Sequence, residues 1–313
     1  MPEVNDMSEN SADITLENND LKLSGNTGKA RPEPFMLKVL LNIFQIVGRI
    51  SPVLAGRMAY KLWLTPTRFK TPASEQKALK SANIESRCIN DNDITTFTWQ
   101  TAGADDRPTV LLVHGWSGRG TQMGSFAEPL NNAGYRVISF DAPAHGKSSG
   151  KQTNLYEISE TILALQDIYG TFDSVITHSF GGPCTALAIR LGLKTNRIVS
   201  ICPPATTIGL IDKFSDALLL NKKTRHNLVD RITTTFGGHV WEELSMKNSI
   251  RDVDIPGQVI HDAHDDDVPW QEGQAVAHAW NNAPFIITSG LGHRRILRDS
   301  SVIESTLKFL KDQ

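Results

Sequence analysis

The stretch Ser174–Arg190, SVITHSFGGPCTALAIR, decides how the rest of the chain is read. A short run of strand-forming residues ends at His178. Ser179 and Phe180 follow, and Gly181-Gly182 opens a helix of small residues. Strand, tight turn and helix in so few positions is the context that a G-x-S-x-G nucleophile elbow requires. A sharp turn lifts the Ser179 hydroxyl above the strand ends, and small neighbours let strand and helix approach each other. The N–H of Phe180 points into the same space, at a helix N-terminus, where negative charge is favoured. Thr177 stands where the strict pattern has its first glycine. It is bulkier but still small, and Gly181 holds the tightest position of the turn.

Working outward, strands and helices alternate. The expected strands are Ile94–Gln100, Thr109–His114, Tyr135–Phe140, Ser174–His178, Ile198–Cys202, Gln258–His261 and Phe285–Thr288. Several are uninterrupted apolar runs, as expected for strands covered on both faces. Between them Leu155, Ile158, Ile162 and Leu165 share one helical face, opened by an Asn154/Glu157 capping box. Ile303, Leu307 and Leu310 repeat the pattern, with Ser301 and Glu304 as the expected box. This alternation predicts an α/β fold, a three-layer sandwich around a mostly parallel sheet. From Pro203 to Arg251 no strand is visible. Helical stripes at Leu210–Leu218, Leu228–Ile232 and Trp241–Leu244 predict a small helical cap inserted at about 204–250, or an enlarged crossover.

Upstream the character changes twice. Residues 1–34 hold seven acidic and three basic residues and no aromatic one. This predicts a disordered acidic tail, because it cannot bury enough apolar surface to offset its ordering entropy. Residues 35–93 read as an N-terminal helical extension, ahead of a main domain at 94–313. Within the extension Lys38, Asn42, Gln45 and Arg49 make one narrow polar stripe on an otherwise apolar helix. That helix packs on the main domain or lies in the plane of a membrane or partner surface. Thr65–Asn90 reads as a polar connector with a helix at SEQKALKSA.

The whole-chain values exclude several classes. The chain has 313 residues, a formal net charge of −2 and a pI near 6.5, which argues against nucleic-acid binding. No apolar run of about 18 residues suggests a membrane-spanning helix. Cys88, Cys184 and Cys202 are odd in number and widely spaced, so a reducing, cytoplasmic setting is expected. The acidic start is not that of a secretory signal.

The remaining chemistry sits at strand ends. In PTVLLVHGWSGRG a buried strand delivers His114-Gly115 to a loop, which offers the Trp116 N–H as a second oxyanion donor. In RVISFDAPAHGKSSG, Asp141 and His145 precede Ser179, which argues against them as its partners if the order is Ser, acid, His. Two later strands end in GQVIHDAHDDDVPW and FIITSGLGHRRIL. Asp265 and His293 lie just beyond them, at the edge where open α/β sheets build their sites, and can converge on Ser179. His293 would take the serine proton, and Asp265 would fix the imidazole tautomer.

Together HGW at 114–116, DAPAHGKS at 141–148, THSFGG at 177–182, HDAHDDDVP at 261–269 and GLGH at 290–293 resemble the α/β-hydrolase superfamily. The resemblance covers residues 94–313. It implies Ser179 as nucleophile, Asp265 as acid, His293 as base, and the amides of Trp116 and Phe180 as oxyanion hole, with no cofactor. Thr177, Ala144 and Asp262 depart from the pattern, and none of them removes a catalytic side chain. The expected activity is hydrolysis of an ester or related acyl bond on a small-molecule substrate. C–C hydrolysis, aminopeptidase or acyltransferase chemistry and a non-catalytic binding module stay open. The cluster His261, Asp262, His264 and Asp265–Asp267 offers metal ligands, but strand-then-loop spacing separates them, so no metal is expected. Arg119, Lys147, Arg294 and Arg295 either receive an anionic substrate end or are ordinary surface charges.

Overall fold

A computed structural model describes residues 35–100, 106–281 and 283–311. The tail expected at 1–34 lies outside the described residues. Eight strands form one sheet: β1 (Asn83–Ile89), β2 (Asn92–Trp99), β3 (Thr109–Val113), β4 (Arg136–Phe140), β5 (Ser174–His178), β6 (Arg197–Ile201), β7 (Gly257–Asp262) and β8 (Phe285–Thr288). Their order is β1-β2-β4-β3-β5-β6-β7-β8. The first two pairings are antiparallel and the rest parallel.

The central strands read as apolar runs because both faces are covered. On β3, Leu111 and Val113 enter one core while Val110 and Leu112 enter the other. Two helices precede the sheet, α1 (Phe35–Ile50) and α2 (Pro52–Trp63), and α3 (Gln76–Ser81) leads into it. A 3₁₀ segment at Gly120–Phe126 continues into α4 (Ala127–Asn132). Next come α5 (Leu155–Tyr169) and α6 (Gly181–Arg190). The Asn154 side chain caps α5 by accepting the Glu157 N–H at 3.2 Å.

The interval after β6 is helical: α7 (Thr207–Ala217), α8 (Lys222–Phe236), α9 (Val240–Glu243) and α10 (Met246–Ser249). The chain then continues through α11 (Trp270–Ala279), α12 (Gly292–Arg295) and α13 (Ser300–Lys311). One face of α1 packs inward through Phe44 and Gly48, and Asn221 just ahead of α8 donates to the Gly48 carbonyl at 2.9 Å. α2 crosses α8 closely: a Cβ on Gly56 would lie 2.6 Å from the Asn227 side chain.

Two details differ from expectation. The connector 65–90 contains strand β1, which pairs with β2 across a hairpin whose two loop residues, Asn90 and Asp91, both have positive φ. The strand was hidden because NIESRCI is polar and lies at a sheet edge with one side open; the Asn-Asp pair is the turn chemistry that marks it. At α13 the cap is Asp299 rather than Ser301. Its Oδ1 accepts the N–H groups of Ser301 and Val302 at 3.0 and 3.3 Å.

Candidate active site

Ser179 follows the last residue of β5 with φ of +51°, a left-handed conformation that non-glycine residues rarely adopt. Its N–H donates to Ile201 O of β6, and its carbonyl accepts the Gly182 N–H, both at 2.9 Å. The turn is tight because Gly181 approaches the end of β3. A Cβ there would lie 2.5 Å from Val113 O. Thr177 is accommodated inside the sheet: it lies opposite Ser200 of β6, and their hydroxyls hydrogen-bond at 3.0 Å.

Past β3, the N–H of Gly118 donates to Gly115 O, placing Trp116 and Ser117 mid-turn, with Ser117 at φ +57°. The rings of Trp116 and Phe180 meet edge to face, 5.4 Å between centroids. Among the described residues, neither the Trp116 N–H nor the Phe180 N–H has a hydrogen-bond acceptor. His114 holds the loop by donating from Nδ1 to Gly115 O at 2.7 Å and accepting the Ala142 N–H on Nε2 at 3.0 Å. Burial, aided by neighbouring His145, pushes its pKa down to about 3.

Asp141 and His145 are structural in this geometry. The Asp141 carboxylate accepts the N–H groups of Gly120 and Lys147, each at 2.7 Å. His145 Nδ1 donates to Pro143 O at 2.9 Å.

Asp265 and His293 come together from separate loops. His293 Nδ1 and Asp265 Oδ2 lie 2.7 Å apart, and the carboxylate is fully buried. Burial alone would raise the Asp265 pKa. Hydrogen bonds from His261, His293 and the Val268 amide outweigh it and hold the carboxyl well below the usual carboxylate range. Its oxygens are thereby fixed as acceptors. Asp267 lies outside and pairs with Arg294 at 3.0 Å. Arg119 pairs with Glu75 at 3.3 Å, and Arg295 donates to Gly290 O at 2.6 Å.

Three residues make contacts that the sequence reading did not assign to them: His178 it took only as a strand end, and His261 and Asp262 as candidate metal ligands. His178 Nε2 donates to His293 O at 2.8 Å, and the two rings lie 4.6 Å apart. Asp262 Oδ2 accepts Thr288 Oγ1 at 2.8 Å and the Leu291 N–H at 3.0 Å, anchoring the turn that carries His293. His261, buried in β7, donates from Nε2 to Val268 O at 2.9 Å and lies 3.4 Å from Asp265 Oδ2. For His178 the advance signal was its place next to Ser179; for His261 and Asp262 it was the dense cluster of His and Asp at 261–267.

His261 and His264 do not share a site, because His264 leaves the strand and turns to Ser289 and Gly290. The ligand-type atoms that do gather within 4.8 Å are those of Cys202, His261 and Asp265. Burial and the nearby Asp265 carboxylate push the Cys202 thiol well above its ordinary pKa. Cys202 and His261 thus flank the buried Asp265 carboxylate.

Two cavities meet at Ser179. One, of about 160 Å³, is mainly apolar and runs under α2 and the inserted helices, walled by Trp63, Trp116, Leu210, Ile232 and Phe236. The other, of about 200 Å³, is more polar and contains Ser179, His178, His293 and Arg294.

Residues 110–303 match the alpha/beta hydrolase family. The chain belongs to that family. It is 29% identical over 90 residues to a monoacylglycerol lipase of Mycolicibacterium smegmatis, a match covering 26% of this chain and 32% of that protein's length. Its fold is similar to that of a bromoperoxidase from Bacillus anthracis, with a TM-score of 0.57 and 20% identity over 74% of this chain and all of that one. It is also similar to ferulic-acid-bound Est1E from Butyrivibrio proteoclasticus, with a TM-score of 0.55 and 17% identity over 72% and 96% of the two chains. Among the described residues no helix is long and apolar enough to cross a membrane.

Proposed function

We propose that this alpha/beta hydrolase is a serine hydrolase cleaving a carboxylic ester or related acyl bond. Ser179 is its nucleophile, His293 its general base and Asp265 its orienting acid. The observation that carries this reading is the 2.7 Å contact between His293 and Asp265, on a histidine that shares a cavity with Ser179 at its strained elbow.

In this reading Ser179 Oγ attacks the acyl carbon while His293 Nε2 takes its proton. The developing imidazolium is stabilised by the ionised Asp265. The oxyanion is received by the N–H groups of Trp116 and Phe180, each donor worth roughly 3–4 kcal/mol in the transition state. His293 then protonates the leaving alcohol, and water repeats the sequence on the acyl-enzyme.

The base must reach the leaving oxygen, so the alcohol side belongs in the polar cavity with His293. The acyl chain then takes the apolar cavity walled by Leu210, Ile232 and Phe236. Apolar burial favours that assignment.

The test is labelling with a fluorophosphonate, together with hydrolysis of p-nitrophenyl esters of increasing acyl length. The parent should label and turn over, and Ser179→Ala should lose both while keeping its circular dichroism and thermal midpoint. A Ser179→Ala variant that hydrolyses the same esters at a similar rate would sink the assignment.

A further inference from the structure

The outward face of α1 is apolar. Met36, Val39, Ile43, Ile46 and Ile50 recur at steps of three and four and form one stripe along the helix. Phe44 and Gly48, on the other side, are the residues buried against the fold. Ile46 is 58% exposed and Ile50 is 80% exposed, and Val53 and Leu54 extend the surface onto the first turn of α2. No described element covers this stripe.

Charge decides what does. From Phe35 to Trp63 the charged residues are Lys38, Arg49, Arg57 and Lys61. All four are cations, all are exposed, and the segment contains no acid. A second copy seated helix to helix on the stripe would set Lys38 and Arg49 against their own equivalents, with no acid of α1 or α2 to pair them in either orientation. A surface of lipid phosphates would pair with Lys38 and Arg49, the two cations that flank the stripe on α1.

We propose that α1 and the first turn of α2 form an in-plane docking surface for an anionic lipid bilayer. The apolar stripe enters the region below the headgroups, and the flanking cations meet the lipid phosphates. At 1.5 Å per residue the helix extends about 24 Å, which suits lying flat rather than spanning. The surface also leads toward the candidate site. α2 ends at Trp63, which walls the apolar cavity beside Ser179. A lipid-derived acyl chain leaving the bilayer would therefore meet α2 first. That last link rests on the serine-hydrolase reading; the docking does not.

The test is co-sedimentation of the full chain with phosphatidylcholine vesicles, with and without about one quarter phosphatidylglycerol. The parent should bind the anionic vesicles at least tenfold better than the neutral ones, and about 0.5 M salt should weaken that binding. The double substitution Ile43→Glu with Ile46→Glu should reduce binding at least tenfold. Lys38→Gln with Arg49→Gln should reduce it by about thirtyfold on anionic vesicles. Both variants should cleave a soluble ester like the parent, so a wrong reading of the active site leaves the vesicle result intact. The proposal is overturned by a parent that does not bind, or by an Ile43→Glu, Ile46→Glu variant that binds equally. It is also overturned by a dimer that this variant dissolves in the absence of vesicle binding, which would give the face to a second copy. Binding seen only after removal of residues 1–34 would give the face to the acidic tail, with the same consequence.

Discussion

His293 Nδ1 lies 2.7 Å from Asp265 Oδ2, while the other oxygen of that carboxylate accepts the backbone N–H groups of Asp267 and Val268 at 2.8 and 2.7 Å. The backbone of the loop thus holds the carboxylate, which in turn holds the imidazole. An amide in its place would bring an N–H₂ group against donors already present. Asp265→Asn should therefore lower kcat by roughly 10³–10⁴. Asp266→Asn and Asp267→Asn should each cost less than about tenfold, because the Asp267–Arg294 pair is solvent-screened. Steady-state kinetics on one fixed ester decides it. Near-normal turnover by Asp265→Asn, with collapse in a neighbour, would move the acid.

The apolar cavity predicts a chain-length signature. Ile232 of α8 forms part of its wall. Ile232→Trp should take up part of the cavity and shift the octanoate-to-butyrate ratio of kcat/KM toward butyrate by about tenfold or more. An unchanged ratio would place the acyl chain elsewhere.

His145 predicts a pH effect on stability. Burial pushes its pKa down from 6.5 to about 4. As pH falls below 6.5 the unfolded chain binds a proton that the folded chain does not. The contribution of neutral His145 is therefore complete above pH 6.5 and is lost as pH falls toward about 4. His145→Asn keeps a short N–H donor for Pro143 O and removes the titration. The slope of unfolding free energy against pH should fall by up to about 1.4 kcal/mol per pH unit within that window. Urea titrations across the range measure it, and an unaltered slope would mean that folded His145 takes up the proton.

The elbow predicts a steric contrast between two glycines. A Cβ at Gly181 would lie 2.5 Å from Val113 O and 2.9 Å from His114 O, both backbone atoms that cannot swing away. Gly181→Ala should cost about 1–3 kcal/mol. Gly238 has nothing within 4 Å of its would-be Cβ, so Gly238→Ala should stay within about 0.5 kcal/mol. Equal thermal midpoints for the two variants would contradict the close approach of α6 to β3.

Much of the architecture was legible from the chain because it rests on short-range periodicity. Runs such as Thr109–Val113 and Ser174–His178 can be strands covered on both faces, and the stripe from Leu155 to Leu165 can be a helix on one of them. Small residues after Ser179 marked the turn for the same reason, since only they permit the close approach seen at Gly181. What the chain alone left open depended on groups distant in sequence. The polar strand Asn83–Ile89 is a strand because β2 pairs with it, not because of its own side chains. Thr177 is tolerated because register places Ser200 beside it. His178, His261 and Asp262 support Asp265 or the turn carrying His293 only because the crossovers bring β5, β7 and the loop after β8 to one edge. Residue order sets local backbone preference and hydrophobic period. Contacts between side chains tens of residues apart are set by how the sheet closes on its helices, and only the tertiary structure supplies that.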